Sequence, residues 1–284
     1  MTYGWAILII AVVLGALFQL GIFNASTFTP KAPPGACHVF RPNGPFTTSF
    51  INLQGICNGE LPQYAASFSG AGPATVPSST SLAITNKLTI SVWANPSWRN
   101  TAGGGWPAIV GNNDQLNGGI SLNMGTFGPP ACSRWCFLIN AIGTGNLCPA
   151  SACETLGQWD FLVGVYDGSN IYLYQNGKLQ GSTAHTGNLA ASTSNLMIGG
   201  SSGNYPYFRG QISNLQIYNY SLTANEVVAL YQEGIGGAPL KLNNLIGWWP
   251  LNGDTKDYSG NNKNAQATTG VTFTSSWVSG YSAP

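Results

Sequence analysis

Nine carboxylates and two histidines make up the acid–base groups of this 284-residue chain. Cleavage of a glycosidic bond needs two carboxyls facing that bond, about 5 to 10 Å apart. The acids here do not pair that way: Glu60 precedes a predicted strand, Glu154 adjoins Cys153, Asp160 follows Trp159, Asp167 sits in a turn and Glu226 is placed to cap a helix. No strand carries an E-x-D-x-x-E run and no G-x-S-x-G elbow exists, while His38 abuts Cys37 and His185 lies in a polar turn. A catalytic site needs several converging groups, so no catalytic residue is assigned and no enzymatic activity is expected.

Binding chemistry has more to work with. "NGDTKDYSGNN" offers Asp254, Asp257 and Asn261 to a hard cation such as calcium, the one candidate cofactor. The same residues are ordinary turn formers, and two carboxylates are few ligands, so the turn reading weighs more. Sugar binding would use aromatic platforms at a rim: Trp98, Trp106, Tyr205 and Tyr207 flank Gly/Asn loops, whereas Trp93, Trp159 and Trp248 fall inside strand patterns and are expected in the core. Asn24 in "NAS" and Asn219 in "NYS" are N-glycosylation acceptors if the chain is exported.

Six cysteines are present, four of them crowded into "CSRWCFLINAIGTGNLCPASAC". Their spacings are looser than a C-x-x-C knuckle and no histidine lies nearby, so disulfides fit better than zinc. A hairpin over "CFLINAIGTGNLC" would nest Cys136–Cys148 inside Cys132–Cys153, leaving Cys37 for Cys57, although spacing alone leaves the connectivity open.

Only 7% of residues are charged and the formal net charge is +1. Neither a steering field nor a local Lys/Arg cluster is available for nucleic acid. The polar surface must then consist of Asn, Ser, Thr, Gln and Gly, whose hydrogen bonding is insensitive to pH.

Short apolar or alternating runs such as "LTISVWANPS", "GISLNMGTF", "WDFLVGVYDG", "IYLYQNGKLQG" and "GQISNLQIYNYSL" recur between Gly, Asn and Asp turns, the pattern of an antiparallel two-sheet sandwich. Asn176-Gly177 asks for a primed hairpin turn. One helix is predicted: Thr223 and Glu226 form a capping box, Val227, Leu230 and Tyr231 make an apolar stripe, and Gly234 stops it.

The phrases "YAASFSGAGPATVPSSTSLAITNKLTISVWANPS", "WDFLVGVYDGSNIYLYQNGKLQGS" and "LMIGGSSGNYPYFRGQISNLQIYNYSLTANEVVALYQEG", in that order over about residues 61 to 234, resemble the laminin-G-like or concanavalin-A-like jelly rolls. The resemblance implies two stacked antiparallel sheets and a lectin-like surface. The opening element of such domains is matched instead by "LIGWWPLNGDTKDYSGNNKNAQATTG", which implies a circular permutation with residues 245–284 completing the sandwich.

"MTYGWAILIIAVVLGALFQLGIF" is similar to the hydrophobic stretch of archaeal type IV pilin-like proteins, without their usual upstream glutamate. Trp5 to Phe23 is apolar apart from Gln19, long enough as a helix to span a bilayer. The expected organisation is thus a hydrophobic helix over 1–23, a linker over 24–36 and a jelly roll over 37–284. Gly4, Ala11, Gly15, Ala16 and Gly21 provide sites for close helix packing. The resemblance implies an extracellular filament subunit, membrane-inserted before self-assembly, that displays a domain for surface adhesion. The rival is a single-copy membrane-anchored adhesin that binds carbohydrate.

Overall fold

A computed structural model of the chain describes residues 62–99, 106–112, 119–125, 132–139, 145–202, 206–282 and 284, with two short strands nearer the N-terminus. Two compact units are present, Met1–Glu60 and Leu61–Pro284. In the first, β1 (Val39–Phe40) pairs antiparallel with β2 (Ile51–Asn52). The boundary expected at residue 37 lies inside this first unit.

The second unit contains β3 (Ala65–Ser69), β4 (Ala74–Val76), β5 (Leu88–Pro96), β6 (Ala108–Gly111), β7 (Ile120–Gly125), β8 (Arg134–Ile139) and β9 (Asn146–Leu147). There follow β10 (Asp160–Tyr166), β11 (Asn170–Gln175), β12 (Lys178–Ala184), β13 (Leu196–Ile198), β14 (Arg209–Tyr218), α1 (Ala224–Gln232), β15 (Leu245–Trp249), β16 (Gln266–Ala267) and β17 (Val271–Thr274). One sheet runs β12-β11-β10-β5-β14-β3-β17, with β15 also paired to β14; the other runs β16-β4-β13-β6-β7-β8-β9.

Alternation along β5 explains how the layers stack. Leu88, Ile90, Val92 and Ala94 join Ile109, Leu122 and Phe137 of the opposite sheet in one core. Trp93 faces the other way, into a second core with Phe161, Val163, Val227, Leu230 and Trp277. Sheet one is therefore covered on both sides, by sheet two and by α1 with the C-terminal segment, so every residue of β5 and β10 is buried, and β10 reads as a nearly unbroken apolar run.

Local signals hold their places. Glu226 N–H donates to Thr223 Oγ1 at 3.3 Å and Thr223 N–H to Glu226 Oε2 at 2.8 Å, closing the capping box. Asn176 and Gly177 both take positive φ, 51° and 74°, in the β11–β12 turn. Disulfides join Cys132 to Cys153 and Cys136 to Cys148. The inner bond continues the β8–β9 ladder of Phe137 with Leu147 and Leu138 with Asn146. Cys37 and Cys57 lie outside the described residues.

The C-terminal segment is part of the sandwich. β15 sets Trp249 opposite Leu215, β17 sets Val271 opposite Phe68, and β16 sets Ala267 opposite Ala74. The two-sheet sandwich is thus as read from the sequence, but the fold class needs a correction. The expected long apolar helix over 1–23 is not among the elements found: the α-helix described is the short, amphipathic Ala224–Gln232. Among the described residues no helix is long and apolar enough to cross a membrane. Gly4, Ala11, Gly15, Ala16 and Gly21 lie outside the described residues, so a helix-packing role for them has no structural basis. The class is a mainly β, two-sheet antiparallel sandwich with one short helix. An apolar run satisfies the length condition for a spanning helix without specifying what packs on it.

Trp277 closes the second core. Its indole Nε1–H donates to Pro62 O at 3.0 Å, and Trp159 Nε1–H donates to Trp277 O at 2.9 Å. Trp277→Ala should lower stability by about 3–5 kcal/mol, as large core truncations do. Val278→Ala, at a side chain that is 47% exposed, should change it by less than ~0.5 kcal/mol. Urea melts of the two variants check this, and equal midpoints would mean that residues 275–282 do not seal the core.

Candidate functional site

Of the residues proposed for sugar contact, Trp98 and Tyr207 come to one end of the sandwich, where β5 ends and β14 begins. Ser97 N–H donates to Arg209 O at 3.0 Å and Gly210 stands opposite Pro96. This registration brings Trp98 under Arg209, whose guanidinium carbon lies 4.7 Å from the indole centroid. Phe208 is fully buried while Tyr207 and Arg209 are exposed, as expected for neighbours alternating along an extended chain. Tyr207 and Arg209 therefore project to one side. Tyr207 also bridges to Ala108. That places Trp106, two residues earlier and half-buried, on the adjoining edge, its carbonyl accepting from Asn123 Nδ2 at 3.1 Å. Tyr205 lies outside the described residues.

Charge at this end is mostly neutralised in place. Glu154, beside Cys153 and nearly buried, accepts Arg99 Nε at 2.5 Å and Nη2 at 2.9 Å. Such a fork–fork pair is among the stronger charge-assisted contacts. Asp160 accepts Trp135 Nε1 at 2.9 Å and Asn176 Nδ2 at 2.8 Å. Burial pushes its carboxyl above the usual carboxylate range, against the pull of hydrogen bonds from Gln175, Trp135 and Asn176. Both carboxylates are tied up in structure.

Sequence reading missed Arg209. Its signal was available only as "YFRG", a basic residue next to a rim aromatic, and its partner Trp98 is more than a hundred residues away. Also missed was the polar outer face of β7, where Ser121 Oγ and Asn123 Oδ1 are buried with no hydrogen-bond partner among the described residues.

The Asp254–Asn261 loop is organised as turns. Asp257 Oδ1 accepts Trp248 N–H at 3.0 Å and Ser259 N–H at 2.9 Å, and its Oδ2 accepts Lys263 N–H at 2.8 Å. Asp254 takes Lys256 N–H and the Tyr258 hydroxyl, both at 3.1 Å. Asn261 turns its Nδ2 toward the carbonyls of Leu245 and Ile246. Among the described residues no cluster of three His, Cys, Asp or Glu is placed to hold a metal. Asn219 is exposed just past β14, as an acceptor for glycosylation must be, and Asn24 lies outside the described residues.

Residues 68–228 match the family model described as Concanavalin A-like lectin/glucanases superfamily. A candidate carbohydrate binding protein from Bacteroides ovatus superposes with a TM-score of 0.57 at 16% identity, covering 75% of this chain and 60% of that one. The chain thus spans less than two thirds of that protein, and the likeness is one of fold. Domain 4 of AbnA, a GH43 extracellular arabinanase from Geobacillus stearothermophilus solved in complex with arabinotriose, matches at TM-score 0.46 and 22% identity over 58% of this chain and 75% of its own. The heptameric SAP-like pentraxin of Limulus polyphemus matches at 0.43 and 19%, over 60% and 82%. Among curated proteins none matches this sequence.

The carboxylate of Asp257 gathers three backbone N–H groups, one from Trp248 in β15 and two from the loop that follows, which makes it a structural centre of the C-terminal segment. Asp257→Ala should cost about 3 kcal/mol by leaving those donors unpaired, whereas EDTA should leave the melting temperature of the unmodified protein unchanged. Differential scanning calorimetry reads both, and a chelator-induced drop would restore the loop as a cation site.

Proposed function

Because the chain belongs to the Concanavalin A-like lectin/glucanases superfamily, whose model covers more than half of it, we propose that its sandwich is a carbohydrate-binding module that works outside the cell in surface adhesion. The observation that carries this reading is the aromatic rim of Trp98 and Tyr207 flanking a stacked arginine. Sugar rings present apolar C–H faces to indole and phenol rings, while hydroxyls find amides and guanidinium groups alongside. A surface poor in charge and rich in Asn, Ser and Thr suits neutral hydrogen-bonded partners. Two disulfides support an oxidising compartment. Binding without turnover is part of the proposal, since Glu154 and Asp160 are each committed to internal partners.

The filament-subunit expectation depends wholly on residues 1–23, which lie outside the described residues.

An immobilised-glycan array probed with the full chain tests the reading. Trp98→Ala and Tyr207→Ala should each weaken binding to any glycan retained by about tenfold, the scale of one lost aromatic stacking contact. Circular dichroism should confirm an unaltered fold. Retention of no glycan, or equal retention by both variants, would remove the rim as a binding site.

A further inference from the structure

Resting on the carbohydrate-binding reading above, we propose that the sugar taken at this rim carries a carboxylate, as uronic acids do, and that Arg209 is the group that recognises it. The guanidinium is exposed at the first residue of β14 and stacked 4.7 Å above Trp98. The stem also passes Gly70, where a Cβ would stand 2.6 Å from Nε and 2.7 Å from Cγ. Gly70 has φ +82°, so this approach uses both the missing side chain and the left-handed backbone that glycine permits. The arginine is thereby in contact with both a backbone and an indole. Its plane is fixed before any ligand arrives, and the ordering entropy of a long side chain is already spent.

The electrostatic setting leaves this cation available. Among the described residues no carboxylate lies within ion-pair range of Arg209. Glu154 is taken by Arg99, and Asp160 by Trp135 and Asn176. Three of the chain's four arginines, Arg99, Arg134 and Arg209, gather here: Arg134 bridges to Cys153, next to Glu154, and Arg99 is two residues beyond Ser97, which bonds to Arg209 O. The charge of Arg99 is offset by Glu154. A planar guanidinium stacked on an aromatic face matches a planar carboxylate in two parallel hydrogen bonds, which a lysine ammonium cannot do. Tyr207, on the same side, offers an aromatic ring to the sugar bearing that carboxylate.

Isothermal titration of the full chain with uronate oligosaccharides, neutral oligosaccharides of matched length and sulfated oligosaccharides at low salt tests this. The uronates should bind at least about tenfold more tightly than the neutral set, the scale of one hydrogen bond to a charged group. Arg209→Gln should bring uronate binding down to the neutral level, and Arg209→Lys should recover only part of it. Below about pH 3.5, where a sugar carboxyl protonates, the uronate advantage should vanish while any sulfate binding persists. Preference for sulfated over carboxylated sugars would overturn the carboxylate assignment. Equal affinity for neutral and acidic sugars, unchanged in Arg209→Gln, would overturn the role of Arg209 and leave the carbohydrate-binding reading standing. Binding of none of the three sets would overturn both.

Discussion

Everything in the sandwich depends on the double-sided burial of the sheet built on β10, β5 and β14. A strand covered on one face can alternate apolar and polar residues, but a strand covered on both must have a partner layer for each side chain. Sheet two supplies one layer. The other is assembled from α1 and the last residues of the chain, with Trp93 packed against Phe161, Tyr231 and Tyr281 at centroid distances of 5.2, 5.9 and 5.4 Å. Neither cover is stable by itself: a nine-residue helix is too short to persist in water, and residues 275–282, after β17, form neither helix nor strand. They are ordered because the sheet offers them an apolar face, and the sheet stays dry because they are there.

What was legible in the sequence was whatever is decided within a few residues. The Thr223–Glu226 capping box, the Asn176-Gly177 turn and the nested cysteines around the β8–β9 hairpin are local geometry, and local geometry is written in adjacent residue types. Asn176 adds what a turn rule does not predict. Its Oδ1 accepts Phe161 N–H at 2.8 Å while its Nδ2 serves Asp160, so the turn also ties β11 to the start of β10. "SSWVSGYSAP" illustrates the opposite limit: it carries no strand or helix pattern, yet Trp277 is a core residue and Tyr281 packs against that core because of contacts with positions far upstream. The apolar opening stretch shows a third limit. Hydrophobicity and length admit a spanning helix, but they do not fix the surroundings such a helix requires.

The rim was half legible for the same reason. Trp98 and Tyr207 could be picked out singly, because a large aromatic beside Gly/Asn loops stands out from the strand pattern. Their association could not, since it follows from the antiparallel register that sets Gly210 against Pro96 and Arg209 against Ser69. The Asp254–Asn261 loop had the reverse fate. Its residue types suit either a cation or a turn, and in the structure backbone donors from Trp248, Ser259 and Lys263 converge on one carboxylate.

The position of Arg209 follows from the sheet as much as from its own chemistry. β14 pairs with β5 along one edge and with β3 and then β15 along the other, making it the strand tied to the most neighbours. A side chain at the first residue of such a strand starts from a backbone that cannot drift. Its remaining freedom lies in the rotamers of a long stem, and contacts with Trp98 and Gly70 restrict those. Recognition of a planar anion needs the two donor directions held to within about 10–20°, a tolerance that rigid elements meet and flexible loops do not. The double-sided burial that holds β14 in place is therefore also what gives the rim a fixed cation, although the residues in that buried layer never touch the ligand.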